Sequence, residues 1–407
     1  MMAGLLGSMM LLAAVGSPDA VGALTFAGRI TGYLFVVLGV VEGVAALAVL
    51  DYWGKRQLSF SGAVVLLGAL IALGTDSLLL FMWLQEREYT RYLLAYFPLW
   101  CWSLWALWLL IREKAWRGTP HPKKFAAGVA ATTLLAAVNL AYSAVYQPTS
   151  APVLFSLTAK FGTPRIDPER QIIHLPLILQ VKNTGQIPAY IISDEYSIKG
   201  LTADFSENAG ELRERREAME SNSDVRLYTG IPKEHTISAG PFYGPGSYLE
   251  PGEEYSEEKV VQLPRAARYD TVEAALTIEL MRKDRGKVDL EEFIDSHPSW
   301  HKNEGAFYCP PDECWEHIAY RARLHHNNNI INVTRRPVYV TSIWGVKPSK
   351  SDSVTIISSS PDFRPGSLKY YTRAENESER EKERYGVVTV DAQAAVPFAA
   401  LVNPSEA

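Results

Sequence analysis

Long apolar runs without a polar face constrain this chain more than any other feature. Four of them follow one another, at Ile30–Tyr52, Ser61–Leu84, Tyr92–Ile111 and Phe125–Tyr146. At ~1.5 Å per helical residue, each bridges the ~30 Å hydrocarbon core of a bilayer. A water-soluble bundle would need a polar stripe on every helix, and these runs offer none. Residues 30–146 are therefore expected to form a four-helix transmembrane domain in contact with lipid.

Met1 to Ala14 is also apolar, but no basic residue precedes the run and Ser17, Pro18 and Asp19 interrupt it. This pattern argues against a cleaved signal peptide. Residues 1–29 are expected to be an N-terminal apolar extension at the membrane surface rather than a further span.

Orientation follows from the connections, since Lys and Arg accumulate on the cytoplasmic side. The connection after the first run carries Lys55 and Arg56. The one after the third carries Arg112, Lys114, Arg117, Lys123 and Lys124. The middle connection, with Glu86, Arg87, Glu88 and Arg91, is mixed. A multi-pass protein of the cell membrane is expected, with the N-terminus and everything after Tyr146 outside the cytoplasm. Trp53, Trp83, Tyr89, Tyr92, Trp116 and Tyr146 lie at span ends, where aromatic belts form.

Three polar residues interrupt the spans: Glu42 in the first, Asp76 in the second and Asn139 in the fourth. Small residues accompany each: Gly39 and Gly43; Gly68, Ala72 and Thr75; Thr132, Ala136 and Ser143. Such faces let helices approach and bond through polar side chains. The first, second and fourth spans are expected to meet there. The third, with Trp100, Trp102, Trp105 and Trp108, is expected to face lipid. Two readings of the carboxyls compete. As protonated groups they hold helices together, which suits their small number. As ionisable groups inside a membrane they mark a proton or cation path. The spans contain no His, which argues against membrane haem.

After Gln147 the composition becomes that of a soluble protein. Leu175, Leu177, Leu179 and Val181 alternate with other residues, as do Val272, Ala274, Leu276, Ile278 and Leu280, with Glu273 and Glu279 on the opposite face. Period two marks strands with one buried face. Asn183-Thr184-Gly185 and Pro251-Gly252 mark turns. Further strands are expected at Ala189–Ile192, Tyr255–Leu263, Ile318–Leu324 and Val338–Trp344. Glu207–Met219 reads as a charged surface helix or loop, and Pro241, Phe242 and Tyr243 as a rigid loop of the kind that presents binding residues. The passage from Val181 through Asn183-Thr184-Gly185 to Pro188-Ala189 resembles the strand–turn–strand of bacterial immunoglobulin-like domains. That resemblance implies an immunoglobulin-like β-sandwich with insertions over residues 147–345. Residues 346–407 read as a Ser-rich, charged C-terminal extension, with strands available at Val387–Val390 and Ala394–Val402.

His297, His301, Cys309, Cys314 and His317 crowd one stretch. In an oxidising compartment Cys309-Pro310-Pro311-Asp312-Glu313-Cys314 is expected to close as a local disulfide. The competing account is a zinc site drawing on the five residues, since zinc takes four N or S ligands. No other cofactor is expected.

No nucleophile elbow, HExxH, Walker loop or dinucleotide fingerprint occurs. A net charge of -5 over 407 residues gives no basic surface for nucleic acid. The expected function is non-enzymatic: a membrane-anchored extracytoplasmic binding, interaction or sensing protein, with a protein or glycan partner and homo-oligomerisation as further possibilities. The alternatives are a transport or channel-type protein using Glu42 and Asp76, and a metal-dependent or redox enzyme built on the His/Cys stretch.

Overall fold

The computed structural model describes residues 1–23, 25–54, 60–86, 90–115, 153–205, 212–220, 232–300, 316–345, 353–359 and 368–402. The chain divides into two units. One comprises Met1–Pro152 together with Lys283–Val288 and Arg323–Tyr339; the other comprises the remainder.

The helical unit holds α1 (Met2–Gly22), α2 (Phe26–Trp53), α3 (Ser61–Glu86) and α4 (Leu93–Arg112). All four are long and apolar enough to cross a membrane. The expected span Phe125–Tyr146 lies outside the described residues. The fourth such helix is instead α1, where a surface extension was expected. Its apolar run continues through Pro18 and Asp19 because Asp19 finds backbone partners there, described below.

Glycines set the packing of α1 on α2. A Cβ at Gly32 would lie 2.2 Å from the Ala20 backbone nitrogen, and one at Gly16 would lie 2.8 Å from the Gly32 carbonyl oxygen. Only hydrogens at these positions let the two backbones touch. Further along, Gly39 faces the Met9 carbonyl and Leu12, and Gly43 faces Met9. The small face of α2 therefore receives α1, a partner the sequence had not offered. Gly68 of α3 packs against Ala45 of α2, as its small side suggests.

Val37, Val40, Val44 and Leu47 of α2 are exposed at helical spacing, as are Trp105 and Trp108 of α4. Apolar stripes of this kind suit lipid rather than water. The lipid-facing expectation for α4 holds only in part. Tyr96, Ala106 and Leu110 are fully buried, and the Trp102 ring fills the space over Gly4 of α1. A short helix, α5 (Asn329–Thr334), completes this unit. Its Ile330 and Val333 join a core with Leu11, Leu12, Val15, Phe35, Leu79 and Tyr96.

In the β-rich unit, antiparallel strands form two sheets that share one core. The first has β3 (Ile172–Asn183) at its centre. It pairs with β1 (Phe155–Phe161) and β2 (Arg165–Asp167) on one side and β7 (Glu254–Pro264) on the other. The second runs β14 (Val388–Pro397), β8 (Thr271–Arg282), β4 (Ala189–Thr202), β5 (Lys233–Gly240), with β6 (Tyr248–Leu249) also on β4. Leu175, Leu177, Leu179 and Val181 of β3 meet Val272, Ala274, Leu276, Ile278 and Leu280 of β8 in a single apolar cluster. The predicted alternation of both strands is thus the alternation of the core. Gly252 sits at the turn before β7 with φ of 83°, a conformation glycine adopts without steric cost.

Residues beyond 345 are more than an extension. β14 is one continuous strand, in register with β8 from Val388 opposite Leu280 to Pro397 opposite Thr271. The charged run becomes α6 (Leu368–Tyr385), which buries Ser378 and Tyr385. Lys382 of α6 pairs with Glu279 of β8 at 3.1 Å, so Glu279 points outward from the sheet but not into open solvent.

A further set of strands runs β10 (Ser296–Pro298), β11 (His317–His326), β12 (Val338–Gly345), β13 (Ser353–Ser358). β11 alternates imperfectly: His317, Ala319, Ala322 and Leu324 are buried, and the buried phase switches between Ala319 and Ala322. Tyr320, half-buried, packs edge-on against Trp344. The helix Leu212–Glu220 buries no residue, as its charge requires.

Candidate functional site

Within the helical unit, close α1–α2 packing brings Ser8 to Glu42. Both are fully buried, and Asp76 on α3 is 1% exposed. Neither carboxyl has a hydrogen-bond partner among the described residues, and neither does the Ser8 hydroxyl. Ser8 and Asp76 are nevertheless the polar groups close enough to act on Glu42. The neighbouring Thr75 hydroxyl is committed to the carbonyls of Ile71 and Ala72, at 2.9 and 3.1 Å. Asp76 acts on Glu42 from α3, and Ser8 joins them from the unforeseen helix. Asn139 lies outside the described residues.

A second polar arrangement was missed in the sequence. Both oxygens of Asp19, near the end of α1, accept the backbone N–H of Asn329, at 2.8 and 2.9 Å. The Asn329 side chain donates to the Val15 carbonyl at 2.9 Å. Asn327 donates to Thr25 Oγ1 at 2.9 Å, the same oxygen that caps α2 by accepting from Gly28. Tyr96 Oη reaches the Val333 carbonyl at 3.4 Å. Asn332 clamps the His326 backbone through both its amide atoms. The visible signal was the run Asn327-Asn328-Asn329 before two isoleucines, together with a lone carboxylate ending an apolar helix.

In the β-rich unit, the Pro241–Tyr243 loop is held from inside. Asp194 Oδ2 accepts the backbone N–H groups of Phe242, Tyr243 and Gly244. Phe242 is buried in the apolar core of the β-rich unit, and Tyr243 stacks on Tyr255 with ring centroids 3.9 Å apart. The loop is therefore a cap fastened by Asp194, and Phe242 is not presented to a ligand. Asp194 lies where β4 is bulged against β8, between Ile191 and Ser193. From Ala189 to Asp194 the strand is buried on both faces. Ser342 donates to the Ile192 carbonyl, and Trp344 Nε1 donates to the Asp194 carbonyl at 3.0 Å. Burial pushes the Asp194 carboxyl above the ordinary carboxylate range, against the three N–H groups and Lys259, which draw it down.

Of the His/Cys stretch, His301, Cys309 and Cys314 lie outside the described residues. His297 is on β10, opposite Ala319 of β11, and His317 begins β11. Its backbone N–H donates to Ser299 Oγ at 2.9 Å. Among the described residues no group of His, Cys, Asp or Glu is arranged to hold a metal ion. The described free cysteine is Cys101, on the exposed side of α4.

No protein-family description and no curated protein matches the chain. Among solved structures, the putative ApaA protein of Bordetella pertussis is similar at 17% identity. The match covers 33% of this chain and 82% of that one, with a TM-score of 0.17. Spo0M, a sporulation control protein of Bacillus subtilis, is similar at 11% identity over 58% of this chain and 98% of its own, with a TM-score of 0.18. Scores this low support no argument about fold or function.

Proposed function

We propose that this is a membrane-anchored binding and sensing protein. Its β-rich unit, a two-sheet scaffold of the immunoglobulin-like kind, meets a partner outside the cytoplasm, and its helices register the event. One observation carries the reading. The chain leaves the β-rich unit twice, at Lys283–Val288 and Arg323–Tyr339, to supply parts of the helical unit. The second excursion is fixed by Asp19, Val15, Thr25 and Tyr96. A plain anchor would need a single helix and no such return. The excursion begins within β11 and ends within β12, so strain in these strands reaches α5 through the covalent chain and α1 through the bonds of Asn329.

Two measurements test this. With Lys55, Arg56, Arg112 and Lys114 retained inside, the α1–α2 turn lies outside. With α1 as a further span, Met1 then lies inside, opposite to the placement expected when residues 1–29 are taken as a surface extension. Single cysteines introduced for Glu258 and Lys114, in a chain otherwise free of cysteine, should react differently with an impermeant maleimide on intact cells. Glu258→Cys is expected to label at once and Lys114→Cys only after permeabilisation; the reverse pattern ends the proposal. In the second measurement, Asn329→Ala removes the side-chain bond to Val15 and is expected to cost about 1 kcal/mol. Amides in the last turns of α1 and in α5 should then exchange roughly fivefold faster. Exchange accelerated only within α5, with α1 unaffected, would mean that the excursion is not coupled to the helices.

A further inference from the structure

We infer that Ser8, Glu42 and Asp76 form an intramembrane binding site for a small, hard monovalent cation, with Na+ as the fitting ion. The inference is independent of the binding-and-sensing proposal.

Three helices converge here. Gly39 and Gly43 leave room for α1 at Met9 and Leu12, which sets Ser8 beside Glu42. Asp76 enters from α3. Five side-chain oxygens, from Glu42, Asp76 and Ser8, are buried without a hydrogen bond among the described residues. Native proteins rarely leave buried polar atoms unmatched, and a bound ion is one accepted reason for such a group. No lysine, arginine or histidine lies in the described length of α1 or α3 to neutralise the carboxyls, and the one arginine of α2, Arg29, is committed to the Ala23 carbonyl.

The donor set selects the ion. Carboxylate and hydroxyl oxygens suit hard cations rather than zinc or copper. Calcium takes about 6–8 oxygens, and magnesium retains a near-octahedral shell containing water. Five oxygens with no polar surroundings fit an ion of lower charge. With one Na+ bound to an ionised Glu42 and Asp76 protonated, the site is neutral, as its hydrocarbon setting requires. Protons compete for the same oxygens, so occupancy falls as pH falls.

The test uses the full chain in detergent at pH 8 and dicyclohexylcarbodiimide, an apolar reagent that modifies protonated carboxyls. Modification of Glu42 is read by peptide mass. Na+ at tenfold its dissociation constant leaves about one site in eleven empty, so modification is expected to slow roughly tenfold relative to choline chloride of equal ionic strength. Ser8→Ala and Asp76→Ala remove their ligand oxygens and should both raise the Na+ concentration needed for protection. Neither adds bulk or charge, and the elution profile of each reports whether the fold survives. Equal rates in Na+ and choline would overturn the site. So would protection that persists undiminished in both variants, or protection produced by K+ at the same concentration as Na+. Modification that responds to pH alone would leave a pair of protonated carboxyls holding helices together, and no cation site.

Discussion

Replacing Asp194 with alanine is expected to release the Pro241–Gly246 loop and to cost the β-rich unit about 3–5 kcal/mol. The side chain accepts three backbone N–H groups, and the Phe242 bond is buried. Each buried donor left without an acceptor costs ~1–3 kcal/mol. Phe242 would leave the core and Tyr243 would lose its stack on Tyr255. Amide exchange in residues 242–247 should accelerate at least a hundredfold in the full chain, the equivalent of ~3 kcal/mol. Protection left at the wild-type level would show that the loop is held by packing alone. The same carboxyl gives a pH dependence of defined sign. Its folded pKa lies above the ordinary value because of burial, so the folded state holds the proton more tightly than the unfolded state. Stability is unaffected below the unfolded pKa and falls as pH rises from there through the folded pKa. Asp194→Asn should flatten that slope, and an unchanged slope would assign it elsewhere.

The second large effect is expected from Gly32→Leu. A Cβ there would lie 2.2 Å from the Ala20 nitrogen and 2.7 Å from the Asp19 carbonyl carbon. Both are backbone atoms, so no side-chain rotation relieves the clash, and overpacking of ~3 kcal/mol or more is expected. The end of α1 must separate from α2, taking Asp19 from Asn329. A cysteine pair reads this directly. Cβ atoms at Gly39 and Leu12 would stand 3.5 Å apart, within reach of a disulfide. Leu12→Cys with Gly39→Cys should cross-link readily with Gly32 present and about tenfold less with leucine there, for a gap of ~1.4 kcal/mol or more. Equal cross-linking in both backgrounds would show that Gly32 does not control the approach of α1 to α2.

What the sequence disclosed was whatever depends on near neighbours. The long apolar runs of α2, α3 and α4 and the alternation of β3 and β8 are local signals, and the structure follows them. The Gly39–Gly43 face was legible as a packing surface, but not its occupant, because Pro18 and Asp19 disguise α1 as an interrupted run. Asp19 and Asn329 stand 310 positions apart, and neither carries a mark of the other. Asp194 was hidden in the same way: an acidic residue in a strand looks solvent-facing until the bulge at Ile191–Ser193 and a second layer of strands bury it. β14 was read as two short pieces because Asp391 divides its apolar residues, although in the sheet it simply lies opposite Thr277.

The return of Asn329 to Asp19 also has a temporal side. A ribosome that has just made α1 must add 310 more residues before its partner exists, roughly 15–60 s at bacterial and eukaryotic elongation speeds of about 5–20 residues per second. Through that interval a carboxylate and the apolar patch around Leu11, Leu12 and Val15 stand uncovered at the rim of the bilayer. The helices are thus inserted early but finished late, and a chain cut short before residue 329 is a species that quality-control proteases can recognise by that open patch.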